Sequence, residues 1–212
     1  LNALFEEACQ KFHALPALSF FQQTINYQQW GALSQSLAAY LQNQLSLKKG
    51  AKVALMLPNC PQYMIAIFAV LQAGLVVTNI NPLYTAPEFI QQSKHSEAEA
   101  LIILSNYLPN VVHVIKETKI KHVITNQIGD MLTWPQSWQV NCSAGWLLKN
   151  QRQKDKTVLP INFLQALKTA RHLKLTTLTT ADNTPALSGS IDDPTATLSV
   201  QVGSQTFAGT NN

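Results

Sequence analysis

Residues 47–106 constrain the fold more than any other stretch of the chain. Apolar runs at 53–57, 75–80 and 101–104 each have the length of a buried strand. The stretches between them are longer and carry helix-start and helix-stop residues at their ends. Pro58 stops the first run. Asn59 is placed to cap the next helix, with Pro61 in its first turn, where a missing N–H costs nothing. Gly74 ends that helix, and Thr85-Ala86-Pro87-Glu88 reads as a capping box for another. Strand alternating with helix predicts the α/β class, with a largely parallel sheet and crossover helices. Residues 63–80 approach the length of a membrane span, but Gln72, Gly74, Thr78 and Asn79 interrupt them. A helix followed by a buried strand fits them better.

The flanks read less evenly. Leu4, Phe5, Ala8, Cys9 and Phe12 recur at helical spacing, and residues 17–21 and 24–27 read as two short strands around a turn at Gln22-Gln23. Leu33, Leu37, Tyr40, Leu41 and Leu45 line one face of a helix closed by Lys48-Lys49-Gly50. A helix over 108–117 and a fourth strand over 122–125 follow. Residues 131–160 read as a loosely packed connector holding Trp134, Trp138 and Trp146, and helical spacing returns over 161–173.

Beyond residue 174 the chemistry changes sign. All 15 Lys and Arg lie within the first 174 residues, which carry +7 once their 8 acids are subtracted, whereas the last 38 residues carry −3. Those residues are rich in Thr and Ser, with turns at Asn183-Thr184-Pro185, Ser188-Gly189-Ser190 and Asp192-Asp193-Pro194 and a period-2 strand over 196–202. Two units are expected, residues 1–173 and residues 174–212.

No constellation of chemistry-bearing residues stands out. Cys9, Cys60 and Cys142 lack metal spacing and suit reduced thiols in a cytoplasmic protein; no charged-then-apolar leader opens the sequence. His13, His95, His113, His122 and His172 form no ligand pair, and Glu97 and Glu99 read as solvent-facing. Lys116, Lys119 and Lys121 are too few for a nucleic-acid stripe, so no nucleic-acid partner is expected. Trp134, Trp138 and Trp146 beside the basic run 149–156 suit either a membrane surface or the edge of a hydrophobic core.

Four stretches together carry a resemblance. They are Ile25-Asn26-Tyr27-Gln28-Gln29-Trp30, the glycine turn and strand of 47–58, Leu71-Gln72-Ala73-Gly74, and Asn79-Ile80-Asn81-Pro82-Leu83-Tyr84-Thr85. In this order they resemble the N-terminal part of AMP-forming adenylating enzymes, closest to the bacterial long-chain fatty acid–CoA ligases. Gln29 stands where the family usually has glutamate, and Ala51 where it usually has aspartate. The tail, from residue 178, resembles the opening of an immunoglobulin-like repeat of bacterial adhesins.

The resemblance implies a parent that activates a fatty acid with ATP and Mg²⁺ to an acyl-adenylate and passes the acyl group to CoA. It implies that the phosphate loop and the C-terminal lysine lie downstream of the matched region. Thr206-Phe207-Ala208-Gly209-Thr210 only superficially resembles that loop, lacking its lysine. Accordingly no catalytic, cofactor-binding or metal-binding residue is expected here, and a fragment inactive alone, at the inner face of the membrane or free in the cytoplasm, is the expectation. An exposed apolar face and self-association go with it. The alternative is a non-catalytic interaction or membrane-peripheral module of the same fold.

Overall fold

The computed structural model describes residues 1–148, 159–170, 198–202 and 205–209. Contacts divide the chain into two units, Leu1–Leu178 and Thr179–Asn212. The first opens with α1 (Asn2–Lys11) and an antiparallel pair, β1 (Pro16–Phe20) and β2 (Gln23–Asn26), before α2 (Tyr27–Asn43). Phe20 pairs with Gln23, so the turn falls at Phe21-Gln22, one residue earlier than the sequence suggests. Both turn residues adopt left-handed backbone, with φ of +46° and +62°. Asn26 caps α2 reciprocally: its side chain accepts from the Gln29 N–H at 2.8 Å, and the Gln29 side-chain oxygen accepts from the Asn26 N–H at 3.0 Å. An amide at position 29 thus keeps the acceptor that a glutamate would supply.

Five strands form one sheet: β3 (Lys52–Met56), β4 (Val76–Asn79), β5 (Ala100–Leu104), β6 (His122–Asn126) and β7 (Ile161–Asn162). Every pairing among them is parallel, and the spatial order is β4-β3-β5-β6-β7. β3 and β5 are buried on both faces, which is why they read as continuous apolar runs. β4 is the edge, and its Val76 is 44% exposed.

Helices cover both faces. On one, Leu37 and Leu41 of α2, Ile65 and Ala69 of α3 (Pro61–Gln72), and Phe163 and Leu167 of α7 (Phe163–Thr169) pack on Val53, Leu55, Ile102 and Ile124. On the other, Phe89 of α4 (Ala86–Ser96), then Leu108 and Val111 of α5 (Leu108–Val111), pack on Ala54, Met56, Leu101 and Ile103. Alternating parity along each strand sends successive side chains to these two cores.

The structure corrects several local expectations. Cys60, not Asn59, is the N-cap of α3. Only one α turn forms after residue 108, and Val112–Glu117 continue as a 3₁₀ helix. The β-branched run Val111, Val112, Val114 and Ile115, all buried, disfavours α geometry by crowding χ1. The expected connector over 131–160 contains an ordered helix, α6 (Gln136–Leu148), and the segment expected to be wholly helical begins instead with β7. In the second unit, β8 (Leu198–Val202) and β9 (Gln205–Gly209) pair antiparallel. Thr206 to Gly209 are therefore strand rather than a phosphate loop, and Thr210 lies outside the described residues.

Candidate functional site

The order β4-β3-β5-β6-β7 is that of a doubly wound sheet, in which the chain leaves β3 toward one edge and returns to β5 on its other side. α3 leaves β3 on one face and α5 leaves β5 on the opposite face. Such a reversal opens a crevice at the carboxyl ends of the two strands, the usual ligand position in this architecture. The residues there are Asn59 and Cys60 after β3, Ser105 and Asn106 after β5, and Asn126 and Gln127 at the end of β6.

These groups are polar, neutral and in part unpartnered. Gln62, fully buried on α3, donates its side-chain amide to the Gln127 carbonyl at 2.9 Å, while its own side-chain oxygen has no partner. Asn126 is 1% exposed, and neither end of its amide is paired. Ser105 donates its backbone N–H to the Asn126 carbonyl at 2.8 Å, but its buried hydroxyl is unpaired. Buried polar groups without partners are uncommon in folded proteins and mark places where polarity is retained against stability. Sequence inspection missed all three. The available signal was a glutamine inside the otherwise apolar helix α3 and an asparagine closing the apolar strand β6.

A cleft of about 320 Å³ lies beside this edge, between Ala17–Phe20 of β1 and Asn59, Cys60, Pro61, Tyr63 and Met64. Tyr63 donates its hydroxyl to the Asn79 side chain at 3.1 Å, joining α3 to the end of β4. Burial pushes the Cys60 thiol pKa up, against a smaller lowering by the Tyr63 and Gln62 backbone N–H groups, so Cys60 is a poor nucleophile near neutral pH.

The motif residues serve the scaffold. Trp30 packs edge-on against Phe5 and Phe68, at 4.7 Å and 5.0 Å between ring centres. Gly50 donates its N–H to the Gly74 carbonyl at 2.9 Å, and both glycines have left-handed backbone. The Asn81 side chain accepts from the Leu83 N–H at 2.9 Å, shaping the turn before α4. At that helix's start Glu88 accepts from both the N–H and the hydroxyl of Thr85, which lowers its pKa.

The remaining candidates do not assemble into a catalytic group. Lys119 pairs with Glu97 and Lys121 with Glu99, so these charges offset one another across the surface. His13, His95 and His113 are exposed. His122 is half-buried, and burial, helped by Lys121, lowers its pKa against Glu99. His172 and the side chain of Trp146 lie outside the described residues. Among the described residues no group of three or more His, Cys, Asp or Glu is placed to hold a metal ion. The edge can donate and accept hydrogen bonds; none of the residues named there is a cation, and the Asp130 carboxylate beside it accepts from the Gln127 N–H at 2.8 Å.

A family model described as AMP-binding enzyme matches residues 5–182. This chain belongs to that family. The long-chain-fatty-acid–CoA ligase of Salmonella typhimurium is 38% identical over 170 residues, covering 79% of this chain and 30% of the relative. The ligase of the same name from Yersinia pestis is 36% identical over 176 residues, covering 82% and 31%. The chain therefore spans less than a third of the curated relatives it matches. Among solved structures, an anthranilate CoA ligase bound to anthranoyl-AMP superposes with a TM-score of 0.63 at 13% identity, covering 83% of this chain and 29% of that one. A long-chain-fatty-acid–CoA ligase from Archaeoglobus fulgidus gives 0.55 at 23%, covering 67% and 29%. These two likenesses establish that the chain shares the fold of the corresponding part of those enzymes.

Proposed function

We propose that this chain is the N-terminal scaffold of a long-chain fatty acid–CoA ligase and is inactive by itself. The identity of 38% over 170 residues to a ligase of that name carries the reading. The parent reaction joins a fatty acid to AMP at the expense of ATP, with Mg²⁺, then transfers the acyl group to the thiol of CoA. What supports inactivity of the chain alone is that none of the described residues named at the sheet's carboxyl edge is a cation, where phosphate transfer needs fixed positive charge. Three free cysteines suit a cytoplasmic setting. The bare edge strand β4 suits self-association. Residues 174–212 are read as the start of an adhesin-type repeat, for which the antiparallel β8–β9 pair is the support.

The test is ATP–pyrophosphate exchange with palmitate or oleate. No exchange above a buffer control is expected. Exchange that a substitution within residues 1–173 abolishes refutes the inactive-scaffold reading. Sedimentation gives a second measure: oligomers are expected, and a monodisperse monomer with a cooperative melt favours a free-standing module.

A further inference from the structure

A polar cleft of about 530 Å³ lies between α1 and α2 and reaches the end of α3. Helical spacing builds its walls. Asn2, Glu6 and Gln10 recur every fourth residue along one side of α1, and Gln28, Ala32 and Gln35 share one side of α2. The helices run close there, since a Cβ on Gly31 would meet the Cys9 Sγ at 3.0 Å. Glu6, Gln10, Gln28, Gln35 and Gln72 supply the polar groups of the cleft. No Lys, Arg or His is among the described residues that line it.

Exposed glutamines are ordinarily met by water, but two side chains at this place are not. Gln72, the last residue of α3, is 8% exposed, and its side-chain oxygen takes no hydrogen bond. Asn2 donates its side-chain amide to the Leu71 carbonyl at 2.9 Å, while its covered side-chain oxygen is also unpaired. Both orphans are acceptors, and a covered acceptor without a donor costs stability. Two further features add negative charge. The Glu6 carboxylate lines the cleft. The carboxyl end of α3 carries the negative pole of its dipole, and no basic residue stands in its last turn. The missing complement is a donor bearing positive charge. χ3 of glutamine is a soft torsion, so turning the amide aims the Gln72 oxygen at an incoming donor.

We propose that this cleft binds a small primary amine as its ammonium ion. Glu6 supplies the countercharge and Gln72 accepts an ammonium N–H, with Asn2 offering a second acceptor beside the same helix end. Gln10, Gln28 and Gln35 hydrogen-bond polar groups on the rest of the ligand. The first 174 residues carry +7, so general attraction does not draw a cation here and the local acceptors must. The cleft lies at the opposite end of α3 from Gln62 and the sheet's carboxyl edge, and the proposal is independent of the ligase reading.

Thermal melts of the full chain with diaminobutane test it, against butanediol as the uncharged analogue and sodium chloride at matched ionic strength. A Kd of about 1 mM suits a ligand of this size, so about 10 mM diamine should raise Tm by about 3–6 °C and the diol should not. The same diamine should slow alkylation of Cys9, which lines the cleft, at least about threefold while leaving exposed Cys142 unchanged. Glu6→Gln and Gln72→Leu should each weaken binding about tenfold, with far-UV circular dichroism unchanged. Glu7→Gln removes the same charge from α1 outside the cleft and should bind like the parent. No rise in Tm, or a rise that leaves Cys9 unprotected, overturns the proposal. So does an equal response to the diol, which makes the cleft a neutral polar site. Equal weakening by Glu7→Gln assigns the effect to net charge, and binding that survives both Glu6→Gln and Gln72→Leu places it elsewhere; either refutes the assignment.

Discussion

Replacing Gly50 by alanine separates a backbone cost from a packing cost. Gly50 has φ of +82°, and a Cβ added there would meet no atom within 4 Å. Its N–H is committed to the Gly74 carbonyl at 2.9 Å, and the Ala51 N–H to the Lys48 carbonyl at 2.9 Å, so the turn cannot relax without breaking the lead into β3. The penalty is therefore the left-handed conformation itself, about 1–2 kcal/mol for an L-residue. Reduced freedom of the unfolded chain offsets part of it, roughly 0.4–1 kcal/mol, leaving a net loss of about 1 kcal/mol. For a chain of this length that lowers Tm by about 2–4 °C. Asparagine tolerates left-handed backbone, so Gly50→Asn should lose about half as much. Urea unfolding followed by far-UV circular dichroism measures both, with an unchanged m-value expected. A loss above about 3 kcal/mol, or asparagine no better than alanine, means that something packs against this turn and refutes the backbone argument. Gly31→Ala supplies the contrast. Within α2 alanine gains helix propensity of about 1 kcal/mol, but its Cβ would meet the Cys9 Sγ at 3.0 Å and Cβ at 3.3 Å, a clash that Cys9 must move to relieve.

Cys142, exposed, should alkylate with iodoacetamide at neutral pH at least about tenfold faster than Cys60, whose thiol burial keeps protonated; mass-spectrometric rates check this, and comparable rates refute the burial argument. Burial raises the Asp130 pKa against hydrogen bonds from Gln127 and Asn141, so the folded state holds its proton to higher pH than the unfolded chain does. The stability from that proton is lost as pH rises from about 3.9 through the folded pKa. Asp130→Asn should therefore flatten the pH dependence of the urea midpoint in that window and be more stable than the parent at pH about 7, a neutral amide being free of the charge-burial cost. Lower stability at that pH would show that the carboxylate is a net anchor. Asn126→Leu replaces a buried, unpaired amide with an apolar group of similar size, and should stabilise by about 1–3 kcal/mol in urea. Destabilisation of that size would mean that the amide is satisfied by an ordered water.

Local chemistry was legible wherever one residue and its near neighbours decide the outcome. The Thr85–Glu88 box, the stop at Pro58 and the turn at Gly50 depend on sterics and hydrogen bonds within a few residues, and each formed where expected. β3 and β5 were legible because strands buried on both faces must be apolar throughout. β7 was not, because Ile161 and Asn162 become a strand only by pairing with Ile124 and Thr125, and two residues carry no period of their own. α6 was missed for a related reason: apolar and polar residues share its faces without a clear stripe, so no periodicity announced it.

The sequence by itself determined the α/β class, the succession of strand and helix, the basic first unit and the family, since all of these reside in local pattern or in the order of short motifs. Only the tertiary structure decided which polar residues are left unpaired at the sheet's carboxyl edge and which distant segments meet. Gln62 meets Gln127 across 65 residues, and Gln23 meets Gln136 across 113. Such neighbours are set by the order in which strands enter the sheet, a property of the whole chain's packing. No local window of sequence contains it.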